Sequence, residues 1–90
     1  MKYEAMYILQ PNLEEEARKA LIVELNGLFA AEKEVDEWGM RELAYEIEDF
    51  SNGFYVLVNT EATPAEVEEF ERVCRIKEDV LRFMIVKEEV

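Results

Sequence analysis

The chain has 90 residues, of which half are hydrophobic, and 22 acidic against 10 basic side chains give it a net charge of -12. This length suits one domain and is too short for two, so we expect a single globular domain over residues 1–90. Cys74 is the only cysteine and there is no histidine, which excludes an internal disulfide and removes the commonest metal ligand and general base. Enzymatic chemistry and a metal site are therefore not expected.

The strong negative charge also constrains the partners. A net charge of -12 opposes unassisted binding to a phosphate backbone, because association must overcome long-range repulsion. From charge alone we predict a basic partner, although a highly charged surface also keeps a small protein soluble. The N-terminal residues lack the pattern of a signal peptide, and no apolar run approaches the roughly 18 residues that cross a bilayer. We therefore expect a cytoplasmic protein with no membrane partner.

The first half of the chain predicts a strand, a helix and a second strand. Residues 2–10 carry apolar side chains on both parities, which is typical of a strand covered on much of both faces. Asn12 is the predicted N-cap of the helix that follows. The apolar side chains of this helix recur every three or four positions and share one buried stripe, which consists of Ala17, Leu21, Leu25 and Leu28. Residues 33–48 then predict a long, charged strand at a sheet edge.

The next segment predicts a hairpin. Residues 49–53 end in Asn52 and Gly53, which tolerate the left-handed backbone angles of a tight reversal, so we place the hairpin turn there. Residues 54–59 are almost wholly apolar and predict a central strand. The charged strand and this apolar strand should therefore pair.

A second helix and a last strand complete the pattern. Residues 63–66 form a capping box with proline at the first helical position, and the buried side of this helix carries Val67, Phe70 and Cys74. Residues 80–86 predict the final strand. With right-handed crossovers, the order βαββαβ gives an α+β ferredoxin-like fold, a four-stranded antiparallel sheet in the order 4-1-3-2 with two helices on one face.

Helices can cover only one face of such a sheet, yet the sequence also predicts apolar side chains on the other. These are Met6, Ile8, Leu57 and Met84. They indicate either an interface or apolar residues that are tolerated singly on the surface, and the sequence does not decide between the two.

Residues 39–47 have the sequence Gly-Met-Arg-Glu-Leu-Ala-Tyr-Glu-Ile. This segment resembles the signature of the bacterial small-subunit ribosomal protein six family, which has a glycine, a basic residue, Leu-Ala-Tyr and Ile at these spacings. The resemblance continues in Tyr3-Glu4, in residues 11–13, and between Arg75 and Lys87, so it covers essentially the whole chain.

The resemblance implies a structural constituent of the small ribosomal subunit, with no catalytic activity, no cofactor and no small-molecule substrate. It implies a ribosome-associated protein that binds small-subunit ribosomal RNA together with ribosomal protein eighteen, whose basic character would offset the charge of this chain. The implied RNA or partner contacts are Lys2, Tyr3, Arg41, Arg82 and Lys87. In the predicted strand order, Lys2 and Lys87 should form a local positive spot at one sheet end. Ordinary solvation of the lysines, burial of Tyr3 and an ion pair for Arg41 remain open alternatives.

Other proteins with the same fold suggest three alternative functions for this chain. An acylphosphatase-like enzyme would use the loop at residues 10–13 to cradle phosphate, but this loop contains no glycine and no arginine. An RNA-recognition motif would need a second stacking aromatic where Val56 stands. A small-ligand-binding domain would need a calcium loop or a glycine-rich loop, and neither pattern is present in the sequence.

Overall fold

The chain folds as a four-stranded antiparallel sheet with two helices, as described by a computed structural model for residues 1–88. The elements are β1 (Lys2–Leu9), α1 (Glu15–Asn26), β2 (Lys33–Ile47), β3 (Phe50–Glu61), α2 (Pro64–Ile76) and β4 (Val80–Lys87). The strands lie in the order β2-β3-β1-β4. This order is 4-1-3-2 written from the other edge, so the predicted ferredoxin-like α+β fold is confirmed.

The core lies between the helices and one face of the sheet. Alternate residues of β1 and β3 pair across the strands, as in Tyr7 opposite Val56, and both are fully buried. The ring of Phe70 on α2 lies 5.2 Å from the ring centroid of Phe29 and 6.2 Å from that of Tyr7. Because burial of such rings contributes most per residue to the hydrophobic term, this aromatic group anchors α2 to the sheet.

The predicted core is confirmed in most positions and wrong in one. Leu28 and Val67 pack against the core but are only partly buried. Ala17 is exposed, because Arg18 covers the sheet at this level of α1, with its guanidinium carbon 4.4 Å from the centroid of Phe54. The buried side of α1 uses Ile22 in addition to the predicted Leu21 and Leu25.

The start of α2 is set by the predicted capping box. The Thr63 hydroxyl accepts a hydrogen bond from the Glu66 backbone amide, and the Glu66 carboxylate accepts one from the Thr63 amide at 2.9 Å. The other oxygen of Glu66 accepts from the backbone amide of Ala30 at 2.8 Å. The bonds from Ala30 and Thr63 lower the pKa of the Glu66 carboxyl, because they favour its ionised form.

The start of α1 differs from the prediction. The helix begins at Glu15, with Glu14 at the N-cap position and no side-chain capping bond, so the assignment of Asn12 as the cap was wrong. The Asn12 amide instead donates to Oε1 of Gln10 in the preceding loop. No helix within residues 1–88 has both the length and the apolar character needed to cross a membrane.

The β2-β3 turn also lies elsewhere. Glu48 and Asp49 adopt φ angles of 51° and 69°, and β3 already begins at Phe50. Asn52 and Gly53 therefore belong to the strand, and the predicted turn position was wrong. Gly53 is required for a different reason, since a Cβ atom there would overlap Cγ2 of Ile8.

Candidate functional site

Three of the predicted contact residues meet at one end of the sheet. Tyr3 on β1 is opposite Lys87 on β4, and the backbone amide of Glu88 donates to the Lys2 carbonyl at 2.8 Å. Lys2 and Lys87 are exposed, whereas Tyr3 is half-buried and packs against the core. Lys2 and Lys87 therefore lie on neighbouring strands, but the alternation of side chains along a strand puts Lys87 on the helix side of the sheet with Tyr3 and Lys2 on the opposite face.

The electrostatic setting of this end differs from the predicted positive spot. Lys2 lies opposite Glu61 on β3. The shallow cleft beside it contains two lysines, Lys2 and Lys33, and five carboxylates, which belong to Glu4, Glu32, Glu34, Glu61 and Glu88. Since carboxylates outnumber lysines here, a phosphate would meet net repulsion unless another molecule supplied positive charge.

Arg41 and Arg82 lie apart from this end. Arg82 on β4 is opposite Ile8, five residues from Lys87, which corresponds to about 17 Å along a strand. Arg41 on β2 is opposite Gly53, and two strands separate β2 from β4, or about 14 Å across the sheet. Lys2, Tyr3 and Lys87 therefore share one end of the sheet, with Lys2 on the face opposite to the other two, and the two arginines lie separately further along the sheet.

The sheet face opposite the helices is apolar, as predicted. Met6 on β1 lies between Leu57 on β3 and Met84 on β4, so three apolar side chains form a row across the sheet. Met84 remains 51% exposed, whereas Met6 and Leu57 are half-buried. We call this the open face, comprising the outward residues of β1, β3 and β4 that include this row.

Ile8 is the exception on the open face. It is only 3% exposed, although no helix covers it. Leu43 is also buried, and a Cβ atom at Gly53 would lie 3.6 Å from its Cδ2 atom and would overlap Cγ2 of Ile8, so these two buried side chains share the space over Gly53. Leu43 lies in the irregular part of β2 between Glu42 and Ile47, where the register with β3 shifts.

Sequence reasoning missed an aromatic pair at the β2 edge of the open face. The rings of Trp38 and Tyr55 are stacked, with centroids 6.4 Å apart and an interplanar angle of 11°. The Trp38 Nε1 atom donates to Oδ2 of Asp36 at 3.0 Å. The signal in the sequence was the Trp38-Gly39 pair, because glycine within a charged strand often marks a bulge.

Reactive groups are not brought together within residues 1–88. Cys74 is buried, and desolvation raises the pKa of its thiol to about 12, which disfavours the nucleophilic thiolate. In the loop that would have to cradle a phosphate, the Asn12 amide already donates to the Gln10 side chain, whose Nε2 donates to Asp79. No cluster of three or more potential metal ligands occurs in this part of the chain.

Known proteins share both the sequence pattern and the fold. The family described as "Ribosomal protein S6" matches residues 2–87, a span that begins with β1 and ends with β4. Among solved structures, the chain is similar to the 30S ribosomal protein S6 of Thermotoga maritima, with 27% sequence identity and a TM-score of 0.89. The similarity covers 97% of this chain and 86% of the other.

Proposed function

Because the chain belongs to the ribosomal protein S6 family of the small ribosomal subunit, we propose that it binds small-subunit ribosomal RNA jointly with the basic ribosomal protein eighteen. The observation that carries this proposal is the family match over residues 2–87. Membership of this family places the chain among the ribonucleoprotein components that serve translation and points to a structural protein, not to an enzyme. In the proposal the chain acts in the cytoplasm as part of the ribosome.

The charge distribution supports joint binding. The net charge of -12 and the carboxylates around Lys2 both oppose approach to a phosphate backbone by the isolated chain. A basic partner relieves this repulsion by bringing its own positive charge to the same RNA. The open face supports a protein partner as well, since Met84 and Val86 remain about half exposed next to the half-buried Met6.

The predicted contact residues take different roles in this proposal. Lys2 and Lys87 hold phosphates at the exposed end of β1 and β4, one on each face of the sheet, and Tyr3, on the same face as Lys87, contributes a sugar or stacking contact. Arg41 and Arg82 lie too far away to join this group, so they contact a separate stretch of RNA or the partner. Such contacts determine how the protein is oriented on the RNA more than which sequence it selects.

The experiment measures binding to a fragment of small-subunit ribosomal RNA as a function of salt, with and without ribosomal protein eighteen. We expect weak binding by the chain alone at physiological salt and tight binding by the pair. The double variant Lys2→Glu and Lys87→Glu removes about two phosphate contacts, so the slope of log affinity against log salt should fall by about two units in the joint complex. Circular dichroism checks that the variant remains folded.

A matched control separates local contacts from net charge. Lys19→Glu with Lys77→Glu changes the total charge equally, but these lysines form surface ion pairs with Glu15 and Glu24 of α1. We expect this control to leave the salt slope unchanged. Tight RNA binding by the chain alone that is insensitive to the Lys2 and Lys87 changes would contradict the proposal.

A further inference from the structure

A concavity lies at the β2 edge of the open face, and of the proposed contact residues only Arg41 lines it. Asp36, Trp38 and Tyr55 contribute to its lining, together with Glu37, Arg41 and Glu42. Between Glu37 and Gly39 the β2 strand has one residue more than β3 opposite it, and Trp38 is that extra residue.

The bulge depends on the backbone of Gly39. Its φ angle is +82°, in a region that residues with a side chain rarely adopt, although a Cβ atom there would have open space around it. The glycine is thus required by conformation and not by crowding. Bulges of this kind change the direction in which a neighbouring side chain points, and here that side chain is Trp38.

The indole of Trp38 is held in place while remaining accessible. Stacking against Tyr55 and the hydrogen bond from Nε1 to Asp36 fix its orientation. Even so, 45% of its surface is exposed. An aromatic side chain that is already ordered can bind a ligand with little further loss of conformational entropy.

The charges around this ring favour a cation. Three carboxylates and one guanidinium line the concavity. The ion pairs within residues 1–88 use Glu15, Glu24, Glu69 and Glu71. In this part of the chain, no lysine or arginine forms an ion pair with Asp36, Glu37 or Glu42. A phosphate-bearing base would be repelled here, whereas a cation would gain both from the carboxylates and from the electron-rich face of the indole.

We infer that this concavity binds an arginine side chain presented by a basic protein, with the guanidinium stacked on Trp38 and hydrogen-bonded to Asp36, while Glu37 and Glu42 add negative charge around it. A guanidinium suits the site better than an ammonium, because it is planar, stacks on aromatic rings and can donate two parallel hydrogen bonds to one carboxylate. The inference deepens the proposed function and rests on it for the source of the arginine, which is the basic partner.

The first experiment tests the site by itself. Trp38 is the only tryptophan of the chain, so its fluorescence reports binding directly. We titrate the protein at low ionic strength with the peptide acetyl-Gly-Arg-Gly-Arg-Gly-amide and with the same peptide containing citrulline in place of arginine. We expect a saturable change in emission with the arginine peptide and binding of the neutral citrulline peptide that is weaker by about five-fold or more. The difference arises because citrulline makes neither the cation–π contact nor the charge-assisted hydrogen bonds. Equal binding of the two peptides would overturn the inference, as would tighter binding of an oligouridylate.

The second experiment uses the basic partner. Asp36→Asn with Glu42→Gln should weaken binding of ribosomal protein eighteen by about ten-fold, in line with the loss of charge-assisted contacts. Glu16→Gln with Glu68→Gln makes the same change in net charge on exposed helix positions and should leave the affinity nearly unchanged. Trp38→Phe should retain more affinity than Trp38→Leu, because phenylalanine keeps an aromatic face.

The outcomes separate the two proposals. If the partner binds the wild-type protein and the Asp36 and Glu42 variant equally well, the arginine site is wrong and the joint-binding function stands. If the partner does not bind but the arginine peptide still binds at Trp38, the site stands and the proposed source of its ligand is wrong.

Discussion

The two faces of the sheet are built from the same strands but differ in how they are covered. On the helix side, Tyr7, Val56 and Phe70 are fully buried by elements of the chain itself. On the open face, the row through Met6, Leu57 and Met84 has no covering element within residues 1–88, and Met84 is 51% exposed. Successive side chains of a strand point to opposite faces, and both faces are apolar here because apolar residues occur at both parities; the connections between strands decide which face the helices cover.

This difference separates stability from association. Side chains on the helix side contribute to the free energy of folding, because they leave water when the chain folds. Exposed side chains on the open face can release most of that free energy only when a partner covers them. Ile8 lies between the two cases, since it is on the open face but is only 3% exposed, in the space over Gly53 that it shares with Leu43.

The largest effect is expected on the helix side. Phe70→Ala removes a fully buried ring that contacts Phe29, Tyr7 and Phe83. We expect a loss of about 3–5 kcal/mol in the free energy of unfolding, measured by urea denaturation. A loss below about 1 kcal/mol would mean that the aromatic group is not central to the core.

A smaller loss is expected where the two faces meet. Gly53→Ala places a methyl group against Cγ2 of Ile8, a buried and β-branched side chain, with Cδ2 of Leu43 only 3.6 Å from the added methyl. Such overpacking should cost about 1–3 kcal/mol of unfolding free energy. Ile8→Ala removes the opposing methyl group, so the double variant should lose clearly less than the sum of the two single variants. Simple additivity would show that the cost at Gly53 has another origin.

The smallest effect on stability is expected on the open face. Met84→Thr keeps a residue that favours strands, and we expect it to change the unfolding free energy by less than about 0.5 kcal/mol. The same variant should weaken binding to ribosomal protein eighteen, because it removes apolar surface from the proposed docking area. Val23→Thr, at an exposed apolar position on α1, is the matched control and should affect neither measurement. A large loss of stability in Met84→Thr without loss of binding would reverse the assignment of the open face.

The elements that were predicted correctly depend on interactions between residues close in the chain. The capping box of Thr63 and Glu66 sets the start of α2, and the spacing of Phe70 and Cys74 identifies its buried side. The start of α1 was missed because the helix begins at Glu15 with no side-chain capping bond at Glu14, so the sequence carries no capping signal at that position. The hairpin turn was misplaced because Asn52-Gly53 has the composition of a turn. Glycine is needed at position 53 for another reason, since Ile8 on the neighbouring strand leaves no room there for a side chain.

The candidate contact residues show the same division. The strand order alone predicted that the start of β1 lies beside the end of β4, and Tyr3 is indeed opposite Lys87. The carboxylates around Lys2 could not be predicted, because Glu32 and Glu34 reach that end only through the register of β2 on β3. The Trp38 site likewise depends on a bulge, which is a property of two paired strands.

The sequence by itself determined the fold class, the order of the elements, most of the core and the resemblance to a ribosomal protein family. Periodicity and capping specify these features, since both arise from contacts within a few residues along the chain. The tertiary structure alone decided the place of the hairpin turn, the burial of Ile8, the acidic surroundings of Lys2 and the exposed stack of Trp38 on Tyr55. Each of these depends on strand register, and register is set by hydrogen bonds and packing between residues that are distant in the sequence.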